Sequence, residues 1–113
     1  MKTVTLQIAD PDDVKQRARA ALSGHKQGAR ISFTSAELLF RLLTNKRWEI
    51  VRAMTGAGPL AIRETARRVG RDVKAVHGDV RALLNAGILR KTDDGKIEFP
   101  FDAIHVDVML SAA

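Results

Sequence analysis

The sequence has no cysteine and no tyrosine, and only one tryptophan, four phenylalanines and three prolines in 113 residues. Without cysteine there is no disulfide staple and no Cys-ligated zinc or iron–sulfur centre, a composition that fits a reducing compartment. The scarcity of aromatic rings leaves few platforms on which single-stranded bases could stack. No stretch approaches the roughly 20 consecutive apolar residues of a membrane span. After Met1-Lys2 charge returns at Asp10, Asp12 and Asp13, with no apolar leader region before it. A cytoplasmic protein without membrane contact is therefore expected. The three histidines, His25, His77 and His105, lie far apart without the spacing of metal ligands. No G-x-S-x-G nucleophile motif is present. Gly56-Ala57-Gly58-Pro59-Leu60-Ala61 fits the pattern G-x-G-x-x-A but follows a helical rather than a strand pattern, so it reads as a turn. Neither a metal, a cofactor nor catalysis is expected.

What is present is a core and a local excess of positive charge. Hydrophobic residues make up 45% of the chain and charged ones 28%, enough apolar material for one small folded domain over residues 1–113. The net charge of +6 is concentrated in residues 41–96, where thirteen Lys and Arg stand against six acids; the segments on either side are close to neutral or acidic. A basic middle between such flanks points to a polyanionic partner for that part of the chain, nucleic acid before anionic membrane.

Residues 3–8 alternate, with Val4, Leu6 and Ile8 on one side, as a half-buried strand does. Asp10 and Pro11 read as the start of a helix over 11–23, with Val14, Ala18, Ala21 and Leu22 as its apolar stripe and Gly24 as its stop. A polar loop over 24–29 precedes a short strand at 30–33. Thr34-Ser35-Ala36-Glu37 fits a capping box, with Phe33 placed to staple against Leu38 and with Leu38, Leu39, Leu42 and Leu43 facing inward. Thr44 reads as a second N-cap, opening a helix over 45–55 with Trp48, Val51 and Met54 inward. Thr55-Gly56-Ala57-Gly58-Pro59 is a turn.

Residues 60–99 read as helix, tight turn, helix, strand, hairpin and strand. Ile62, Ala66 and Val69 face inward on the first helix, and Gly70 takes the turn. Asp72 caps the second helix, whose apolar positions are Val73, Val76, Val80, Leu83 and Leu84, with Gly87 as its stop before a strand over 88–92. Asp94-Gly95 is a hairpin signal, and Ile97-Glu98-Phe99 returns the chain. At about 100° per residue, Lys74, Ala75, Gly78, Arg81, Ala82 and Asn85 lie opposite the apolar stripe. A face of small residues bracketed by cations suits insertion into a nucleic-acid groove, because bulky chains would hold the helix away from base edges. Arg71, Lys74, Ala75, Gly78 and Arg81 are the candidate base readers. Arg63, Arg67, Arg68, Arg90, Lys91 and Lys96 are the candidate phosphate contacts, which set position rather than sequence. His77 lies at the edge of the buried stripe and reads as a packing or surface residue.

The run Ile62 to Leu89 resembles the winged helix of MarR-like and ArsR-like prokaryotic transcriptional regulators, and residues 31–110 resemble small regulators of bacteria and archaea found in antitoxin-like operons. Two positions depart from the pattern: Ala61 stands where a capping Ser or Thr is frequent, and Thr65 where a larger apolar residue is common. The resemblance implies an α+β fold: a winged helix-turn-helix core at 34–99 after an N-terminal strand-helix-strand extension at 1–33, closed by a C-terminal strand at 100–113. It implies a homodimer that binds double-stranded DNA and represses its own operon, with the recognition helix at 72–86 in the major groove and the wing at 88–99 on the backbone. It also implies a toxin partner, so the alternative reading is an antitoxin or protein-interaction module that docks a partner through its flanking strand or helix. The strand at 3–8 and the alternating segment 102–110, with Asp102, His105 and Asp107 opposite Ile104, Val106, Val108 and Leu110, each need cover for an apolar face. They are expected to pair, within one chain or between two, with the 11–23 helix at a dimer interface.

Overall fold

The computed structural model describes residues 1–9 and 28–112. The expected helix over 11–23, and its role at an interface, lie outside the described residues. The elements are β1 (Thr3–Ile8), β2 (Ala29–Phe33), α1 (Ala36–Leu42), α2 (Asn45–Met54), α3 (Ile62–Val69), α4 (Val73–Asn85), β3 (Arg90–Lys91), β4 (Ile97–Glu98) and β5 (Ala103–Asp107). This is a small α+β domain: four helices among the described residues, one three-stranded sheet and one two-stranded hairpin.

The sheet has the order β2-β1-β5, with both pairings parallel. The expected pairing of the two terminal strands therefore occurs within one chain. Opposite residues put Val4 and Leu6 on one face with Ile31, Ile104 and Val106, and Thr5 and Gln7 on the other with Arg30, Ser32, His105 and Asp107. Val4 and Leu6 are fully buried and belong to one apolar cluster with Leu39, Ile50, Met54, Val76, Leu83, Ile88 and Ile97. On the polar face Gln7 is also buried, and its amide is satisfied: Nε2 donates to Ser32 Oγ at 3.2 Å and Oε1 accepts from Arg30 Nη1 at 2.6 Å.

Helix boundaries follow the capping chemistry. Ser35 rather than Thr34 caps α1. Its backbone is extended and its Oγ accepts from Leu38 N–H at 3.2 Å, so Glu37 falls one position short of the reciprocal role in a capping box. Thr44 caps α2 as expected, accepting from Arg47 N–H at 3.3 Å. Three expected core residues lie outside the core. Leu38 is 43% exposed, because α1 buries Leu39 against the sheet and turns Leu38 away; Trp48 is 39% exposed, because α2 buries the stripe Ile50, Val51 and Met54 instead. Val73, the first residue of α4, is likewise partly exposed beyond the reach of the core.

Because β1 and the helices share one core, the whole domain is expected to unfold together. Leu6→Ala should lower the unfolding free energy by about 2–5 kcal/mol, and the fluorescence transition of Trp48 on α2 should move with the far-UV circular dichroism. A Trp48 transition left unmoved would show that sheet and helices unfold separately.

Candidate nucleic-acid interface

α3 and α4 are joined by a turn that needs glycine. Gly70 has φ 67° and ψ 36°, the left-handed region; its N–H and that of Arg71 donate back to the Arg67 and Ala66 carbonyls at 3.2 and 3.0 Å, which satisfies the end of α3. Two residues later Asp72 caps α4, its carboxylate accepting from Lys74 N–H at 3.1 Å. At the other end of α3, Ala61 occupies the N-cap with no side-chain bond. Thr65 is fully buried, and its hydroxyl is satisfied by donating to the Ala61 carbonyl at 3.1 Å. The departure at Thr65 is thus accommodated locally, while Ala61 leaves the start of α3 without a side-chain cap.

α4 buries Val76, Val80 and Leu83 and leaves Lys74, Ala75, His77, Gly78, Arg81 and Asn85 exposed. Four of the five candidate base readers, Lys74, Ala75, Gly78 and Arg81, share this exposed face. A Cβ built on Gly78 would meet nothing within 4 Å, so no contact inside the chain requires glycine there. Neither Lys74 nor Arg81 has a carboxylate partner among the described residues, and the same holds for Arg63 and Lys91.

The remaining candidate cations are engaged. Arg67 and Arg68, three and four residues after Glu64 on the α3 surface, both bond its carboxylate; these bonds, Arg67's first, hold the Glu64 pKa at about 2. Arg90 meets Glu98 across the hairpin at 2.5 Å, and Lys96 approaches Asp94 at 3.9 Å. All four remain exposed at the surface. Such pairs contribute little to stability, so their cations stay available to a stronger anion.

Arg71 stands apart. Its Nη2 donates to Asp79 Oδ2 at 2.8 Å, its side chain is only 18% exposed, and its Nη1 is buried without a hydrogen-bond partner among the described residues. The other Asp79 oxygen accepts from Arg47 Nε at 2.9 Å, while Arg47 Nη1 donates to the Leu42 carbonyl at 2.9 Å. One carboxylate thus joins the end of α1, the start of α2, the α3–α4 turn and the middle of α4. Burial pushes the Asp79 pKa up, and the hydrogen bonds from Arg47 and Arg71 outweigh it, holding the carboxyl below its ordinary value. Sequence reasoning assigns Arg47 and Asp79 no role. The available signal is helical phase: Asp79 is three residues from Val76 and four from Leu83, at the margin of the buried stripe, where a carboxylate needs cationic partners.

The chain leaves α4 through Ile88 and Leu89, both buried, before the short β3–β4 ladder, which is narrower than the strand expected over 88–92. The hairpin tip is closed by Gly95, with φ 81°, and by the Thr92 hydroxyl accepting from Lys96 N–H at 3.1 Å. Leu60 extends the hairpin by a two-bond bridge to Ile97, at 2.7 and 2.9 Å, fixing the α2–α3 turn to it. Between α4 and β3 runs a groove of about 690 Å³ whose polar lining is His77, Arg81, Asn85, Arg90 and Lys91. Candidate base-reading and phosphate-contacting residues from two elements meet there. Among the described residues no cluster of His, Asp or Glu could hold a metal ion, and no helix is long and apolar enough to cross a membrane.

Removing the shared carboxylate leaves two largely buried guanidiniums unpaired. Asp79→Ala should cost about 2–4 kcal/mol, between the small value of an exposed pair and that of a fully buried one. Since the folded pKa lies below the ordinary 3.8, this contribution is present at neutral pH and is lost as pH falls below that value. The stability gap between wild type and Asp79→Asn, followed by denaturant titration, should therefore close in acid. A gap of the same size at neutral pH and in strong acid would rule out the ionic origin.

No curated protein matches the chain in sequence. Residues 42–106 match the HVO_A0114 family. That span runs from the end of α1 through most of β5, covers more than half of the chain and contains the Arg47–Asp79–Arg71 network, α4 and the hairpin, so the chain belongs to the HVO_A0114 family.

Proposed function

We propose that this protein is a winged helix-turn-helix regulator that binds double-stranded DNA in a sequence-specific manner and represses its own operon. α4 acts as the recognition helix and the β3–β4 hairpin as the wing. The observation that carries the reading is the exposed face of α4: small residues Ala75 and Gly78 between Lys74 and Arg81, with neither cation paired to a carboxylate among the described residues. Ala75 and Gly78 let the helix approach base edges, while Lys74 and Arg81 offer donors to them. Arg90 and Lys91, across the groove from Arg81, supply phosphate contacts, with Arg63, Arg67, Arg68 and Lys96 flanking them. Arg71 acts by orienting α4 through Asp79 rather than by reading bases. The MarR-like and ArsR-like resemblance of residues 62–89 supports the same assignment, and two-fold pairing of such domains would present two helices to a palindromic site.

A second reading, a docking module for a protein partner such as a toxin, is favoured by Leu38 and Phe40 of α1, which are 43% and 59% exposed. Reversing Lys74 and Arg81 to Glu separates the two: DNA binding should be abolished, while a partner held on α1 should be retained.

The deciding experiment is a fluorescence-anisotropy titration against the chain's own upstream DNA and a scrambled duplex at two salt concentrations. Tighter, saturable binding to the upstream DNA is expected; equal binding to both would leave only a basic surface. Arg81→Ala should weaken specific binding by about 1–3 kcal/mol, whereas Lys91→Ala should weaken all sequences alike and lower the salt slope by about 1. Equal losses on both duplexes for Arg81→Ala would remove it as a base reader. Gly78→Ala should raise protein stability by about 0.5–1 kcal/mol, as alanine is the better helix former, yet weaken DNA binding by interposing a methyl group. Unchanged affinity would mean that α4 does not approach the duplex at Gly78.

A further inference from the structure

β5 is an edge strand. Its inner side pairs with β1, and among the described residues no strand pairs with its outer side. Its alternation is regular: Ile104 and Val106 share the face of Val4 and Leu6, while His105 and Asp107 share the face of Thr5 and Gln7 and are exposed. Residues 103–110 contain no lysine and no proline, two devices that commonly protect such an edge. The apolar character instead continues through Val108, Met109 and Leu110, the last two 86% and 99% exposed. Beside the apolar face lies a groove of about 300 Å³ lined by Trp48, Val51 and Arg52 of α2, by Thr55 just past its end, and by Phe99 and Ile104.

We infer that the outer edge of β5 binds β5 of a second copy of this chain, antiparallel and centred on Val106, so that two three-stranded sheets become one of six strands. The register follows from the residues. Side chains alternate between faces, so only registers that oppose residues an even number apart keep the apolar set on one side. With Val106 at the two-fold axis, His105 of each chain faces Asp107 of the other, and Ile104 faces Val108. Shifting the centre to residue 105 sets His105 against His105; shifting it to 107 sets Asp107 against Asp107, a like-charge pair directly opposite. The Val106 centre alone among these brings an imidazole N–H to a carboxylate, and the symmetry makes that bond twice. The strand is thus its own complement, which selects a second copy over an unrelated peptide. The same addition extends the apolar face past Ile104 towards the groove beside Trp48, accounting for a large aromatic left partly uncovered. Pairing in this way does not depend on nucleic acid, so its failure would leave the DNA reading standing, and the converse holds too.

The test is size-exclusion chromatography with light scattering on the full chain at micromolar concentration and above, with no DNA present. Wild type is expected at twice the chain mass. Asp107→Lys, which sets a lysine against His105, should weaken the dimer about tenfold or more, and the exchange His105→Asp/Asp107→Lys should restore it. In a chain without cysteine, Val106→Cys introduces one thiol that meets its own copy at a Cα separation of about 4.5–5.5 Å, within disulfide range, so mild oxidation should give a covalent dimer. A monomeric wild type, a dimer untouched by Asp107→Lys, an exchange variant that does not recover, or a Val106→Cys chain that forms no cross-link on oxidation would each overturn the assignment.

Discussion

The orientation of α4 depends on one carboxylate. Asp79 stands where the helix turns from its buried stripe to its exposed face, and it accepts from Arg71 on one oxygen and Arg47 on the other. Arg47 passes the restraint on to the Leu42 carbonyl, so the end of α1 is tied to α4 through two side chains. Apolar packing of Val76, Val80 and Leu83 selects the buried face of the helix and opposes its rotation about the axis. Two charge-assisted hydrogen bonds of fixed geometry restrict that rotation. The direction in which Lys74, Ala75, Gly78 and Arg81 point is thus set by the buried stripe together with a carboxylate at its margin.

The same network sorts the basic residues. A surplus of positive charge over residues 41–96 says nothing about which cations are available, and the folded chain divides them by depth. Arg47 and Arg71, 24% and 18% exposed at the side chain, are structural. Arg67, Arg68 and Lys96 pair with partly exposed carboxylates, where an ion pair is easily exchanged for a phosphate, while Arg90, itself exposed, pairs with Glu98, whose side chain is 16% exposed. Lys74, Arg81, Arg63 and Lys91 keep no carboxylate partner among the described residues. The proposed DNA surface is built from the last two groups, with the first holding it in place.

The sheet adds a second level of organisation. β1 is its middle strand and carries Val4 and Leu6 into the core shared with the helices, so the terminal segments are part of the domain rather than appendages to it. Parallel pairing on both sides leaves β2 and β5 as edges among the described residues. Of the two, β5 combines an unprotected edge with a sequence that complements itself, and this puts the proposed contact between copies on the sheet, with α4 left free for DNA.

Much of the middle of the chain is legible from local chemistry. Thr44 and Asp72 cap the helices that they are expected to cap, Gly70 takes the left-handed turn, and Gly95 closes the hairpin, because each of these depends on a residue and its nearest neighbours. The exposed face of α4 is legible for the same reason, since 3.6-residue periodicity needs only the helix itself. Sequence reasoning fails where two distant segments have to meet. Trp48 and Leu38 are apolar and periodic, yet α2 and α1 turn other residues to the core, because the space available there is set by the sheet and the neighbouring helices. Arg71 reads as a base contact beside Lys74 and becomes a structural cation only because Asp79, eight residues on, and Arg47, on another helix, converge with it. By itself the sequence determined helix ends, turns and the alternation of strands, which are short-range consequences of backbone hydrogen bonding and side-chain period. Only the tertiary structure decided which charges are buried and paired and which strand lies at an edge, since burial and pairing depend on partners far apart in the chain.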